Sequence, residues 1–200
     1  MVLLKKFNNL TPYSDVLIIG KRATGKTSLA LNFVQNLKLG TVITDYKLGC
    51  ETYNSKKPTA SVHDTNKIKS YDDIFISTDE FTIFDIGNMR DIISDKYVKN
   101  MIMNHNHKQL SICALTHLLD IPPVLRSQFD YVFILSENNM GCRKKLYEQY
   151  INIKSFSFDD FCRTMDDVFS EDYQCLVINN TIKSDKLEDI LFRYKCELVN

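Results

Sequence analysis

A buried-strand pattern that runs straight into a glycine-bracketed basic loop is the strongest constraint in this 200-residue sequence. Asp15-Val16-Leu17-Ile18-Ile19 is a short continuous apolar run, as in a strand covered on both faces. It leads into Gly20-Lys21-Arg22-Ala23-Thr24-Gly25-Lys26-Thr27, a complete G-x-x-x-x-G-K-T string. Beyond it Leu29, Ala30, Phe33, Val34 and Leu37 recur at helical spacing, and Gly40 follows as the expected stop. Glycines let such a loop wrap tightly enough for successive backbone N–H groups to face an anion. The helix opening at Thr27 adds free donors and the positive end of its dipole. Lys26 reaches the β- and γ-phosphates, and the Thr27 hydroxyl takes one Mg²⁺ position. The expected nucleotide-binding set is therefore Gly20, Ala23, Thr24, Gly25, Lys26, Thr27 and the adjoining Ser28, with ATP and Mg²⁺ as ligands. Lys21 and Arg22 are read as solvated rather than as phosphate ligands.

The remaining sequence alternates between strand and helix patterns. Thr41–Thr44 reads as a second strand, and the polar stretch from Asp45 to Asn66, with Gly49 and Pro58, as a long surface excursion. Phe81–Ile86 is a third strand, followed by helical spacing over Met89–Asn104. Leu110–Thr116 and Asp130–Leu135 are a fourth and a fifth strand, separated by a loop with Pro122-Pro123. Phe158–Phe169 reads as a helix and Tyr173–Ile178 as a late strand. This alternation predicts an α/β fold with a mostly parallel sheet covered on both faces. The length fits one domain over residues 1–200.

A loop of this kind needs a carboxylate on a second strand to hold Mg²⁺, and Asp85 closes the apolar FTIF run. The hydrolytic version places an acid immediately after it to orient or deprotonate water. Ile86 occupies that position and cannot do so. Asp79 and Glu80 are the nearby acids, but as strand-entry residues they belong at the end away from the phosphates.

Composition narrows the partners. The 25 basic residues balance the 25 acidic ones, which excludes a strongly basic tail-driven nucleic-acid binder while permitting a local basic patch. The six cysteines form no C-x-x-C pair, so no zinc ribbon is expected, and they read as reduced structural thiols. No apolar run is long enough for a membrane span or signal peptide, so a soluble, cytosolic-type protein is expected. His105 and His107 read as surface residues.

Taken in order, the phosphate loop, FTIFDI, NHNHKQLSICALTHLLDIPPVLRSQFDYVFIL and FSFDDFCRTMDDVFSEDYQCLVINN resemble the poxvirus-type genome-packaging ATPases of large DNA viruses, in the FtsK/HerA superfamily. The resemblance spans roughly Asp15 to Thr181 and is most specific at Asp120–Leu135 and Phe158–Asn180. It implies a P-loop NTPase three-layer α/β/α sandwich of ASCE type. The strand order would be 5-1-4-3-2, with a sensor strand, here Leu110–Thr116, between the P-loop strand and the Asp85 strand. It also implies an ATP-driven translocase that pumps viral double-stranded DNA into a capsid as a homo-oligomeric ring, pentamer or hexamer, with a capsid or portal protein as partner. Such a protein would work in viral factories of the host cytoplasm and in the virion. On this mapping the catalytic residues are Lys26, Asp85, His117 as γ-phosphate sensor and Arg126 as an arginine finger. The other reading of Arg126 pins its loop to Asp120 or Asp130. Three departures bear on hydrolysis: Ile86 replaces the second acid, His117 the usual glutamine, and Asn106 an arginine.

DNA would be gripped through its backbone, without base readout. Lys47, Lys56, Lys57, Lys67, Lys69, Arg143, Lys144 and Lys145 are candidate contacts. A second class fits the departures: a non-hydrolysing, ATP-binding assembly protein. A third, a small GTPase or nucleotide kinase, has only THLLD (Thr116–Asp120) as a faint guanine-reading motif.

Overall fold

The computed structural model describes residues 4–11, 13–71, 73–74, 79–87, 94–96, 98–99, 109–115, 121–151 and 153–196. The strands are β1 (Lys5–Lys6), β2 (Asp15–Ile19), β3 (Gly40–Thr44), β4 (Ala60–Asp64), β5 (Phe81–Ile86), β6 (Leu110–Leu115), β7 (Tyr131–Ile134), β8 (Gln174–Asn179) and β9 (Leu191–Lys195). They form one nine-stranded sheet in the order β1-β9-β8-β7-β2-β6-β5-β3-β4. Its centre, β7-β2-β6-β5-β3, is parallel throughout and has the expected 5-1-4-3-2 order. The strand expected to act as sensor, β6, indeed separates β2 from β5. The sheet is nevertheless mixed, because β8 runs antiparallel to both β7 and β9.

The helices described over their whole span are α1 (Lys26–Val34), α2 (Lys47–Lys56), α3 (Pro123–Arg126), α4 (Met140–Tyr150), α5 (Phe158–Val168) and α6 (Leu187–Ile190). Each central strand is buried along its whole length, which is why these segments are apolar without alternation. Alternate side chains feed two cores. Val16, Ile18, Ile83, Ile112 and Phe133 pack under Leu29, Ala30 and Val34 of α1 and Tyr53 of α2. Leu17, Ile19, Phe84, Cys113 and Ile134 pack under Leu125 of α3, Leu146 of α4 and Phe161, Met165 and Val168 of α5. The result is the three-layer sandwich. No helix among the described residues is long and apolar enough to cross a membrane.

Several expectations need correction. The stretch from Asp45 to Asn66 is not a surface excursion: it holds α2 and the edge strand β4, which pairs in parallel with β3. Gly40 does not stop a helix. It opens β3, where a Cβ would meet the Phe81 ring at 2.5 Å. Helix α4 and strand β9 went unanticipated because few of their side chains are buried, so apolar periodicity is weak. Most of the expected helix Met89–Asn104, including His105 and His107 beyond it, and Thr116–Asp120 lie outside the described residues.

Candidate functional site

The site is built where β2 ends. Gly20 extends the β2 ladder, its N–H donating to Leu115 O at 3.1 Å, and the chain then turns out of the sheet. A side chain at Gly20 would strike Thr24 Oγ1 at 2.5 Å and Leu135 Cβ at 2.8 Å, so only glycine allows this closure. Gly25 takes φ 96°, a left-handed geometry that side chains resist, and Ala23 also sits at φ 61°. Thr24 Oγ1 donates to Lys21 O at 2.8 Å across the loop, and Gly25 O accepts the first helical bond, from Leu29 N at 2.9 Å. Helix α1 therefore starts at Lys26, with Ser28 in its first turn and no acidic residue there to compete for an anion.

Lys26 lies folded against its own loop, Nζ donating to Gly20 O at 2.9 Å and Lys21 O at 2.8 Å. Burial lowers its pKa, an effect opposed by the Asp85 carboxylate and reinforced by Arg22. The other half of the site arrives on β5. Asp85 is only 2% exposed. An unpaired carboxylate there would be costly, and the structure supplies three hydroxyls to one of its oxygens. Oδ2 accepts from Thr27 at 2.6 Å, Tyr46 at 2.7 Å and Tyr53 at 2.9 Å. Burial foremost, then the charge of Asp85, pushes both tyrosine pKa values up, so both phenols remain donors.

This arrangement has a consequence for cations. Thr27 Oγ1 and Tyr46 Oη stand 3.0 Å apart, yet each spends its single proton on Asp85. Their lone pairs therefore converge beside a carboxylate, the hard-oxygen environment that Mg²⁺ takes. The residues present fit the metal. A cavity of about 220 Å³ opens here between α1 and α2, lined by Thr27, Ser28, Leu31, Tyr46, Leu48 and Lys56 among others. A larger one, about 710 Å³, lies at the opposite end of the strands, by Glu80 and Leu110, away from this chemistry.

The structure thus unites Gly20, Ala23, Thr24, Gly25, Lys26, Thr27, Ser28 and Asp85. Arg126 is elsewhere, at the foot of α4, bonded to Gln149 and neighbouring Tyr150 and Asn180 where β7 begins. It is away from the phosphate loop, and its hydrogen bond runs to Gln149; of the two acids in the alternative reading, Asp130 accepts from the Asp15 N–H and Asp120 lies outside the described residues. His117 lies outside the described residues. Asp79 and Glu80 are confirmed at the wrong end: Asp79 accepts from Thr41 Oγ1 at 2.6 Å, and Glu80 accepts from the backbone N–H of Lys38 and Leu39. Of the basic candidates, Lys57 is buried, donating to the carbonyls of Gln35 and Leu37 over the Phe81 ring. Arg143 is 5% exposed, pairs with Asp166 at 2.7 Å and donates to Glu137 O at 2.7 Å. Neither offers a free surface to DNA. Lys21, read as solvated, pairs with Glu137 at 3.0 Å.

Sequence reasoning missed Tyr46 and Tyr53, which lie in the segment taken for a surface loop. One signal was present: Tyr46 comes just after the end of β3, at the carboxyl edge of a parallel sheet, where α/β proteins place ligands.

No family model matches the sequence. Among curated proteins, uncharacterized protein 088R of Invertebrate iridescent virus 3 is 28% identical over 203 residues, covering 94% of this chain and 77% of the relative. Among solved structures, the genome packaging NTPase B204 of Sulfolobus turreted icosahedral virus 2, in complex with ATP-gammaS, superposes with a TM-score of 0.64. That match is 12% identical and covers 94% of this chain and 100% of B204. ATPases 2 and 3 of EssC from Geobacillus thermodenitrificans give a TM-score of 0.55 at 10% identity, covering 88% of this chain and 41% of EssC. The chain therefore has the P-loop NTPase fold of a viral genome-packaging NTPase and of the EssC ATPases, as its resemblance to the packaging ATPases implied.

Proposed function

We propose that this chain is an ATP-driven DNA translocase that packages viral double-stranded DNA into a capsid as a homo-oligomeric ring. The observation that carries the reading is the joining of Thr27 to Asp85 across an intervening strand, beside a loop whose lysine and backbone are shaped for phosphate. In this reading the N–H groups of residues 21–28 hold the phosphates of ATP. Lys26 exchanges its bonds to the Gly20 and Lys21 carbonyls for the β- and γ-phosphate oxygens. Thr27 and Asp85 hold Mg²⁺, which when bound neutralises developing charge on the phosphates. His117 senses the γ-phosphate. Arg126, remote from the phosphate loop of its own subunit, serves a neighbouring subunit's nucleotide, which a ring would permit. Exposed lysines such as Lys47, Lys67 and Lys144, each in a loose surface ion pair with a nearby carboxylate, would exchange it for DNA-backbone contact, and a capsid or portal protein would anchor the ring. The work would take place in viral factories of the host cytoplasm and the motor would persist in the virion.

One observation favours a second reading, a non-hydrolysing assembly protein: Ile86 is 2% exposed in the core, so no acid follows Asp85. Phosphate release from ATP/Mg²⁺, with and without double-stranded DNA, separates the two. DNA-stimulated release that disappears in Lys26→Ala is the expected result. Tight ATP binding without turnover, even with DNA and at high protein concentration, would move the chain to the assembly class.

A further inference from the structure

Ile86 cannot activate water, and its side chain is sealed in the core with Phe84, Leu115, Ile121 and Leu125. If the chain hydrolyses ATP, another group must do so. The described carboxylates at or beside the ends of the strands β2 to β7 can be sorted by position. Asp15, Asp79, Glu80 and Asp130 lie at the entry end of the strands, engaged in structural bonds. Glu137 lies at the exit end, but it follows β7, on the far side of β2 from Asp85, and is held by Lys21 and the N–H of Asn139. Asp64 ends the edge strand β4 and caps the turn at Asn66.

Asp45 is different. It follows Thr44, which pairs with Asp85 in the β3–β5 register, so one step on it stands abreast of Ile86. Alternation along β3 puts Asp45 on the side of Ile43, the face that Ile86 itself uses. Its Oδ2 accepts from the Gly87 N–H at 2.8 Å, which fixes the carboxylate across the two strand ends and leaves Oδ1 available. Gly87 keeps the clearance: a Cβ there would come within 3.2 Å of that oxygen. Asp45 is partly exposed, open to water, and close enough to Tyr46 for its charge to act on that phenol.

We infer that Asp45 is the catalytic base, a carboxylate displaced by one strand that takes over the work of the missing acid beside Asp85. The inference rests on the hydrolytic reading above. A water O–H proton passes to the Asp45 carboxylate as the water oxygen bonds to the γ-phosphorus. The bond from that phosphorus to the bridging oxygen breaks, its electron pair leaving on ADP. The proton is then returned to solvent.

The test compares wild type, Asp45→Asn, Asp45→Glu and, as an entry-end control, Asp79→Asn. The variant Asp45→Asn keeps an oxygen for the Gly87 N–H. Three readouts are taken: steady-state phosphate release, equilibrium binding of a fluorescent ATP analogue, and the identity of the nucleotide recovered from the protein after one turnover time. Asp45→Asn is expected to lower kcat by ~100-fold or more with analogue affinity within about twofold, and to retain uncleaved ATP. Asp45→Glu should recover part of the rate, and Asp79→Asn should leave kcat per folded molecule unchanged. A wild type that turns over beside an Asp45→Asn variant with kcat within about threefold would overturn the role of Asp45 alone. A wild type that binds the analogue and never cleaves ATP would overturn both this role and the hydrolytic reading.

Discussion

The two ends of the same parallel strands treat their carboxylates in opposite ways. At the entry end, Asp79 and Glu80 are absorbed by Thr41 and by the backbone of Lys38 and Leu39, and Asp130 accepts the Asp15 N–H at 2.9 Å. At the exit end, Asp85 and Asp45 are held by hydroxyls and a glycine N–H, with Lys26 and the glycine-bracketed loop beside them. Residue type alone does not separate a structural acid from a candidate for chemistry; strand direction does, because loops at the carboxyl edge are the ones that converge on a ligand.

The sharpest way to break this contrast is to neutralise one acid at each end. Asp85→Asn is expected to cut Mg²⁺-dependent ATP turnover by ~100-fold, about 2.7 kcal/mol of barrier, while ATP binding in chelator persists. Turnover within a few-fold of wild type would mean that the exit-end acid is structural after all. At the entry end the signature is stability against pH. Asp15 has its pKa raised from 3.8 to about 8 by burial, then by the charge of Asp130, with a Ser111 hydrogen bond opposing. The folded state thus keeps a proton that the unfolded chain releases. The contribution is complete below about pH 4 and is lost as pH climbs through about 8. Asp15→Asn should remove this slope of up to ~1.4 kcal/mol per pH unit without changing turnover. Parallel urea-unfolding profiles for wild type and variant from pH 5 to 8 would contradict it. The smallest effect is expected from Tyr53→Phe, which takes one of three donors from a buried carboxylate. It should cost ~1 kcal/mol in denaturant unfolding and weaken Mg²⁺-dependent nucleotide binding only slightly. An unchanged unfolding midpoint would show that Tyr53 packs against Asp85 without supporting it.

The same contrast marks what the sequence disclosed. Gly20 to Thr27 and Asp85 were legible because phosphate and metal chemistry demand fixed residue types at fixed spacing after an apolar run. The central strand order was legible only through resemblance, since no local pattern states which strand lies beside which. Tyr46, Tyr53 and Asp45 were not legible. They belong to a segment whose helix buries only Gly49 and Tyr53 and whose strand is a half-covered edge, so apolar periodicity is lost there. Arg143 misled for a related reason: at an inward position of α4 it does the work of a core residue, with Asp166 and the Glu137 carbonyl as partners.

The pairing of β1 with β9 carries a cost in time. Lys5 and Phe192 are register partners, so β1 finds its place only after synthesis has passed β9. At ribosomal speeds of ~5–20 residues per second, β1 must wait on the order of tens of seconds with Phe7 and its aromatic neighbours still apart. Until then β8 is an open edge, free to recruit another chain. A version ending before Leu191 should therefore aggregate in proportion to its concentration.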